Sequence, residues 1–136
     1  MQGQHIVAVA ALIVRDGRVL CLRRAPSNRA GPGLWETVSG RLEQGEEPHV
    51  GILREIAEET SLSVTLEQRP WDSYAALRRD QPMVVVLYRA RHLAGEVQIS
   101  DEHDQFAWLT ADELAARSSL TRLVESVRRA LATPFP

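Results

Sequence analysis

The stretch GRLEQGEEPHVGILREIAEETSL, Gly40 to Leu62, decides how this chain reads. It opens on a glycine, places a lone glutamate at Glu46, and then sets Arg54, Glu55, Glu58 and Glu59 at helical spacing. With about 3.6 residues per helical turn, Glu55 and Glu59 stand one above the other and Glu58 lies beside them, so three carboxylates share one narrow face. Like charges that close repel. A solvated helix would intersperse lysines to relieve the repulsion, whereas Arg54 is the only lysine or arginine of this helix. The face calls for a cation that the sequence does not supply. Magnesium or manganese suits it, because both prefer carboxylate and water oxygens and need no histidine or thiolate. Glu46 would join from the loop side.

Around this segment the pattern is that of a small α/β protein. Ile6 to Val14 and Arg18 to Arg24 are apolar and β-branched and are joined by Asp16-Gly17, a strong hairpin signal. Proline and glycine crowd Ala25 to Gly33, a loop whose Arg29 is either solvated or within reach of a ligand. Leu34 to Val38 reads as a short strand leading to Gly40. Pro48 suits the first turn of the acidic helix, and Val50, Leu53, Ile56 and Ala57 form its expected buried stripe, opposite the carboxylates. Val64 to Leu66, Trp71 to Leu77, Val97 to Ile99 and Phe106 to Leu109 read as strands, and Met83 to Ala90 as a buried central one. Thr110 with Glu113 is a capping box opening a helix at Ala111, and a last helix runs from about Ser119 to Ala132.

Composition narrows the function classes. The 136 residues fit one domain spanning 1–136, and 44% apolar content suffices for a core. A net charge of −2 gives no polyanion-binding surface, so nucleic-acid polymers are not expected partners. The single cysteine, Cys21, excludes an internal disulfide and reads as strand packing in a reducing compartment. Ile6 to Val14 is too short to span a membrane, and no Lys or Arg precedes it as a signal peptide requires. The expectation is a cytoplasmic protein without a membrane partner.

The segment Gly40 to Leu62 resembles the Nudix box: Gly, any five, Glu, any seven, Arg, Glu, an aliphatic, any, Glu, Glu, any, Gly, an aliphatic. Here the fixed positions fall on Gly40, Glu46, Arg54, Glu55, Ile56, Glu58, Glu59, Ser61 and Leu62, so only the second glycine departs, as Ser61. At roughly 5 to 7% usage per residue type, the six charged and glycine identities coincide by chance about once in 10⁷ starting positions. Chance, and with it a plain acidic interaction helix, is set aside. Serine in the left-handed conformation that a helix-ending glycine adopts is disfavoured by about 1 kcal/mol, which leaves open that the helix ends without that turn. Before the box, Val38-Ser39-Gly40 stands where the family often shows Pro-Gly-Gly, which bears on the shape of the metal loop.

The resemblance covers nearly the whole chain and implies the Nudix fold, a mixed β-sheet sandwiched between α-helices. It implies hydrolysis of a nucleoside diphosphate linked to another group, with Mg2+ or Mn2+ held by Glu55, Glu58, Glu59, Glu46 and the Gly40 loop. Arg54 would orient Glu46 or Glu55 and keep it ionised. Glu102, in an acidic loop before the Trp108 strand with Asp101 and Asp104 nearby, is a second acidic candidate, and either Glu55 or Glu102 could be the general base, Glu55 being the favoured one. His103 stands beside it. Arg23, Arg24 and Arg41 are candidate phosphate contacts through their planar forks. Trp35, Trp71 and Tyr74 are candidates to stack on a base, and Trp108 reads as core. Pro70, Tyr74 and Pro82 do not fall where ADP-ribose or dinucleoside polyphosphate hydrolases carry their marks. The expected substrate is thus a (deoxy)nucleoside triphosphate, cleaved by a MutT-like enzyme acting as monomer or homodimer; the alternative is a Nudix-like domain that binds a nucleotide without cutting it.

Overall fold

The computed structural model describes residues 4–28 and 31–136; Arg29 lies outside the described residues. Strands β1 (Ile6–Arg15) and β2 (Arg18–Arg24) form the expected hairpin, with Asp16 at φ 51° and Gly17 at φ 73° in the turn. Both angles are positive, the condition for the two-residue turn whose twist matches a strand pair. The segment read as one strand before the box is two short pieces, β3 (Trp35–Glu36) and β4 (Val38–Arg41). Then follow α1 (Pro48–Thr60), β5 (Ser63–Leu66), β6 (Asp72–Arg78), β7 (Gln81–Ala94), β8 (His103–Leu109), α2 (Ala111–Arg117) and α3 (Thr121–Ala132). Val97 and Ile99 are not in a strand; they pack from an irregular segment against the core beneath α1.

All eight strands belong to one mixed sheet with the main order β3-β2-β1-β7-β5. β1 runs parallel to β7 from Ile6↔Met83 to Val14↔Arg91, and the other pairings are antiparallel. Strand alternation sends one set of β1 side chains to each face. Val9, Ala11 and Ile13 pack with Ile52 and Ile56 of α1; Ala8, Ala10 and Leu12 pack with Leu114 of α2 and Leu123 and Val127 of α3. The sheet lies between helices, the expected fold. Cys21 is buried in the second core and burial pushes its thiol up to about 12, in keeping with packing rather than reactivity.

On its other edge β1 changes partner. It meets β2 at Val14 and Arg15, and farther back meets β4 at Ala8 to Ala11. This pairing ties Gly40 into the sheet opposite Val9 and presents β4 to α1.

Two expectations fail for physical reasons. The buried face of α1 is Gly51, Ile52, Glu55, Ile56, Glu59 and Thr60, while Val50 and Leu53 are 49% and 43% exposed and Ala57 faces solvent. The helix turns Ile52, Ile56 and Thr60 inward, and the row one position before them, Gly51, Glu55 and Glu59, goes in with them. The β7 run is also not continuously apolar. Arg89 is buried, its guanidinium forked onto Glu67 at 2.6 and 2.9 Å and donating to the carbonyls of Ala130 and Thr133. The rings of Trp71 and Phe135 lie 4.4 and 4.1 Å from it, so a buried charge pins the C-terminal residues to the sheet.

The helix ends through the left-handed turn despite the serine, with Ser61 at φ 63° and its N–H donating to the Ala57 carbonyl. Thr60 supports that turn: its hydroxyl donates to the Ile56 carbonyl at 2.7 Å and accepts from the Leu62 N–H at 3.1 Å.

Candidate active site

Where β4 meets α1, one missing side chain sets the geometry. A Cβ on Gly40 would sit 2.2 Å from the carboxyl carbon and Oε1 of Glu55, well inside contact distance. Only glycine lets this carboxylate lie against the strand. Glu59, one turn on, is 2% exposed; its Oε1 accepts the Ser39 N–H at 3.4 Å, and its Oε2 is buried without a hydrogen-bond partner among the described residues. Burial first, then the adjoining Glu55 carboxylate and Glu36, push the Glu59 carboxyl far above the usual carboxylate range. A buried pair of carboxylates with an orphaned oxygen is what a hard divalent cation would satisfy.

Arg54 organises the remaining acids. Its fork takes Glu46 at 2.8 and 2.9 Å, its Nη1 donates to Glu55 at 2.7 Å and to Glu58 at 3.4 Å, and its Nη2 reaches the Arg41 carbonyl. It thus pairs with both carboxylates that the box resemblance offered. Arg54, with the Glu43 N–H, holds the Glu46 carboxyl down at about 2. The acidic face is divided. Glu55 and Glu59 point inward, whereas Glu58 is on the exposed flank with its side chain 59% accessible, drawn toward Arg54. Among the described residues no three His, Cys, Asp or Glu side chains converge as a ready ligand set. The single narrow face of three carboxylates is corrected to an inward pair and a flanking third.

A second charged group stands next to the first and escaped the sequence reading. Glu36 is 6% exposed and receives the Arg24 fork at 3.0 and 2.8 Å, the Ser39 hydroxyl at 3.0 Å and contact from His103 Nε2 at 3.0 Å. Burial acts to raise the Glu36 carboxyl, but His103 and Arg24 together outweigh it and hold it below the usual range. The buried His103 Nδ1 has no partner among the described residues. A lone glutamate in a two-residue strand carries no periodic signal. The only hint was His103, singled out beside Glu102 but for no stated role.

These groups line one end of a cleft of about 940 Å³ that continues past Ala8 and Ala10 to Tyr74, Met83, Leu120 and Leu123. Arg24, Arg41 and Glu102 line it as expected, although the Arg24 fork is engaged by Glu36 rather than open to a phosphate. Arg23 does not line it. Successive strand residues face opposite ways, and Arg23 forks onto Asp104 of β8 at 2.8 and 2.7 Å. Trp35 is likewise outside the lining, packed against the core with Arg117 over its ring. Trp71 donates to the Ser126 carbonyl within the core, and Trp108 is half-buried beneath Arg15. Of the aromatic candidates, Tyr74 alone lines the cleft among the described residues, with Arg122 lying 5.0 Å from its ring.

The sequence profile of the NUDIX domain matches residues 4–132. The chain is 36% identical over 114 residues to a MutT-like protein of Streptomyces ambofaciens, an alignment covering 83% of this chain and 69% of that one. It is 30% identical to the CTP pyrophosphohydrolase of Escherichia coli K12, over 79% of this chain and 78% of the other. The crystal structure of a MutT protein from Methanosarcina mazei Go1 superposes with a TM-score of 0.83 at 21% identity, covering 96% of this chain and 95% of that one. The chain belongs to the Nudix family and is a Nudix hydrolase, of the class that acts on nucleoside diphosphate derivatives. No helix among the described residues is long and apolar enough to cross a membrane.

The Glu59 carboxyl gives a pH dependence with a definite sign. Its folded pKa lies above the ordinary 4.5, so above pH 4.5 the folded protein keeps a proton that the unfolded chain has lost, and stability falls as pH rises. With chelator present, denaturation between pH 5 and 8 should show stability declining by up to about 1.4 kcal/mol per pH unit, and Glu59→Gln should flatten the slope. A slope unchanged by Glu59→Gln would contradict this. Gly40→Ala should displace Glu55 and lower kcat by about two orders of magnitude in a protein whose circular dichroism is that of the wild type, a 1 Å misplacement being enough.

Proposed function

We propose that the protein is a magnesium-dependent pyrophosphohydrolase of (deoxy)nucleoside triphosphates, releasing nucleoside monophosphate and pyrophosphate. The observation that carries this reading is the Glu55–Glu59 pair pressed against Gly40, with an unpartnered oxygen, at one end of a cleft whose other end is apolar and bears Tyr74. The substrate class is supported by the relatives described as a CTP pyrophosphohydrolase and as the nucleoside triphosphatase NudI, the latter 29% identical over 78% of this chain. We read residues 1–136 as one catalytic domain working in the cytoplasm on a small nucleotide.

Glu55, Glu59 and Glu58 would hold divalent metal, with Glu46 acting through Arg54. Bound there, Mg2+ would neutralise phosphate charge and acidify a water. Arg54 fixes the rotamer of Glu55 and joins it to the loop carboxylate, so that two acids keep their places when the charge around them changes. Glu36 is held by the Arg24 fork and by His103, so that this buried acid, whose charge also bears on Glu59, keeps its place beside the pair. Water attacks one phosphorus, the bond to the bridging oxygen breaks, and the water proton passes to a carboxylate. Glu55 is held by Arg54 at 2.7 Å, whereas the Glu102 side chain lines the cleft with no hydrogen bond or ion pair among the described residues. Glu102 is the freer proton acceptor.

A panel of ribo- and deoxyribonucleoside triphosphates, assayed for pyrophosphate release with and without magnesium, tests the proposal. Turnover should require the metal and fall by about 10²-fold or more in Glu58→Gln. No metal-dependent turnover on any triphosphate would overturn it.

A further inference from the structure

Among the described residues six arginines line the cleft, Arg24, Arg41, Arg54, Arg78, Arg79 and Arg122, and Arg24, Arg54 and Arg122 have carboxylate partners. Arg54 and Arg24 are forked onto Glu46 and Glu36, and Arg122 lies against Tyr74 and within 3.8 Å of Glu125. Arg41 and Arg78 line the same cleft, yet neither side chain makes a hydrogen bond or ion pair among the described residues. They come from different elements, β4 and the end of β6. An anion held between the two guanidinium groups would relieve their mutual repulsion.

The position of Arg78 is built rather than incidental. It stands two residues beyond Ala76 and four beyond Tyr74 on β6, on the same strand face, and all three line the cleft. The strand closes on β7 through Arg79 and Asp80, whose φ values of 49° and 67° place both in the left-handed region, with Arg78 opposite Gln81. That conformation is unfavourable by about 1 kcal/mol for an arginine, yet it is the two-residue turn that fixes hairpin register and hence the face on which Arg78 emerges. Arg78 is half-buried. Burial, then Arg41, Arg24 and Arg79, press its guanidinium below its usual value, and Glu36, already bonded to Arg24 and His103, is the nearby charge that opposes them.

We propose that Arg78, together with Arg41, grips the phosphates farthest from the nucleoside, making the site selective for a polyphosphate chain over a nucleoside diphosphate joined to an uncharged group. The inference rests on the nucleotide-hydrolase reading above and deepens it. Two-residue steps along a strand place Arg78 about 13 Å from Tyr74. Arg41 stands in the same row of the sheet as Tyr74, across Val85 and Ala8, while Arg78 lies four residues farther along β6 with its guanidinium within electrostatic reach of Arg41, so a ligand that touches Tyr74 and both arginines crosses the cleft. Each guanidinium presents a planar fork that suits a phosphate oxygen pair.

Calorimetric titration of the full chain with inorganic tripolyphosphate in magnesium tests this without relying on turnover. Arg78→Ala should weaken tripolyphosphate binding by about tenfold or more, with Arg78→Lys falling between it and the wild type. In the nucleotide assay Arg78→Ala should raise KM for triphosphates by a larger factor than KM for a nucleoside diphosphate sugar, and an equal rise for both would overturn the selectivity. Matching melting midpoints confirm that the variants are folded. Tripolyphosphate binding equal in Arg78→Ala and wild type, or absent from both, would overturn the proposal. Binding that depends on Arg78 in a protein that cleaves no triphosphate would uphold the anion grip and sink the hydrolytic reading alone.

Discussion

The contact between the Glu55 carboxylate and the bare backbone of Gly40 is the constraint around which the site is arranged. The Glu55 carboxylate can lie against β4 because position 40 has no Cβ, which would fall 2.2 Å from it. The strand is held by its ladder with β1, from Ala8↔Arg41 to Ala11↔Val38, and the helix by Ile52 and Ile56 in the core. Apolar packing thus drives two acidic side chains into a setting they would not choose, since burying adjacent carboxylates is costly. On the proposed function a bound divalent cation would offset that cost, and without it burial and the adjoining Glu55 push the Glu59 carboxyl toward its protonated form.

The other charges around this pair are balanced. Arg54 joins Glu46, Glu55 and Glu58, and the Arg24–Glu36–His103 group neutralises the buried acid of β3. Against that balance, Arg41 and Arg78 are the cationic counterpart to the inward carboxylates. A cleft with unsatisfied acid on one wall and unsatisfied guanidinium on the other suits metal-bound polyphosphate, which carries both signs of charge.

Local chemistry made much of this visible in the sequence. Asp16-Gly17 marked the first hairpin and Thr110 with Glu113 the start of α2, and the resemblance of Gly40 to Leu62 to the Nudix box implied the reaction class. What failed depended on which way a residue faces. Of the expected stripe Val50, Leu53, Ile56 and Ala57 only Ile56 is buried, because the sheet takes Ile52 and Ile56 together and the carboxylates enter beside them. Arg23 and Arg24 are adjacent in the chain yet part to opposite sides, one meeting Asp104 and the other Glu36. Trp35 and Glu36 divide in the same way, so the conspicuous tryptophan went to the core and the unremarked glutamate to the site. Arg78 had no motif to announce it; its role depends on a hairpin register that only the paired strands reveal.

The central claim is that the inward pair is a divalent-metal site, and Mn2+ binding read by electron paramagnetic resonance tests it most directly. Titrating Mn2+ into the wild-type protein and into Glu59→Gln follows the ion itself, with no substrate present. The account predicts a bound-ion population in the wild type that weakens by about tenfold or more in Glu59→Gln. Equal Mn2+ binding by the two proteins, or none by the wild type, would contradict it.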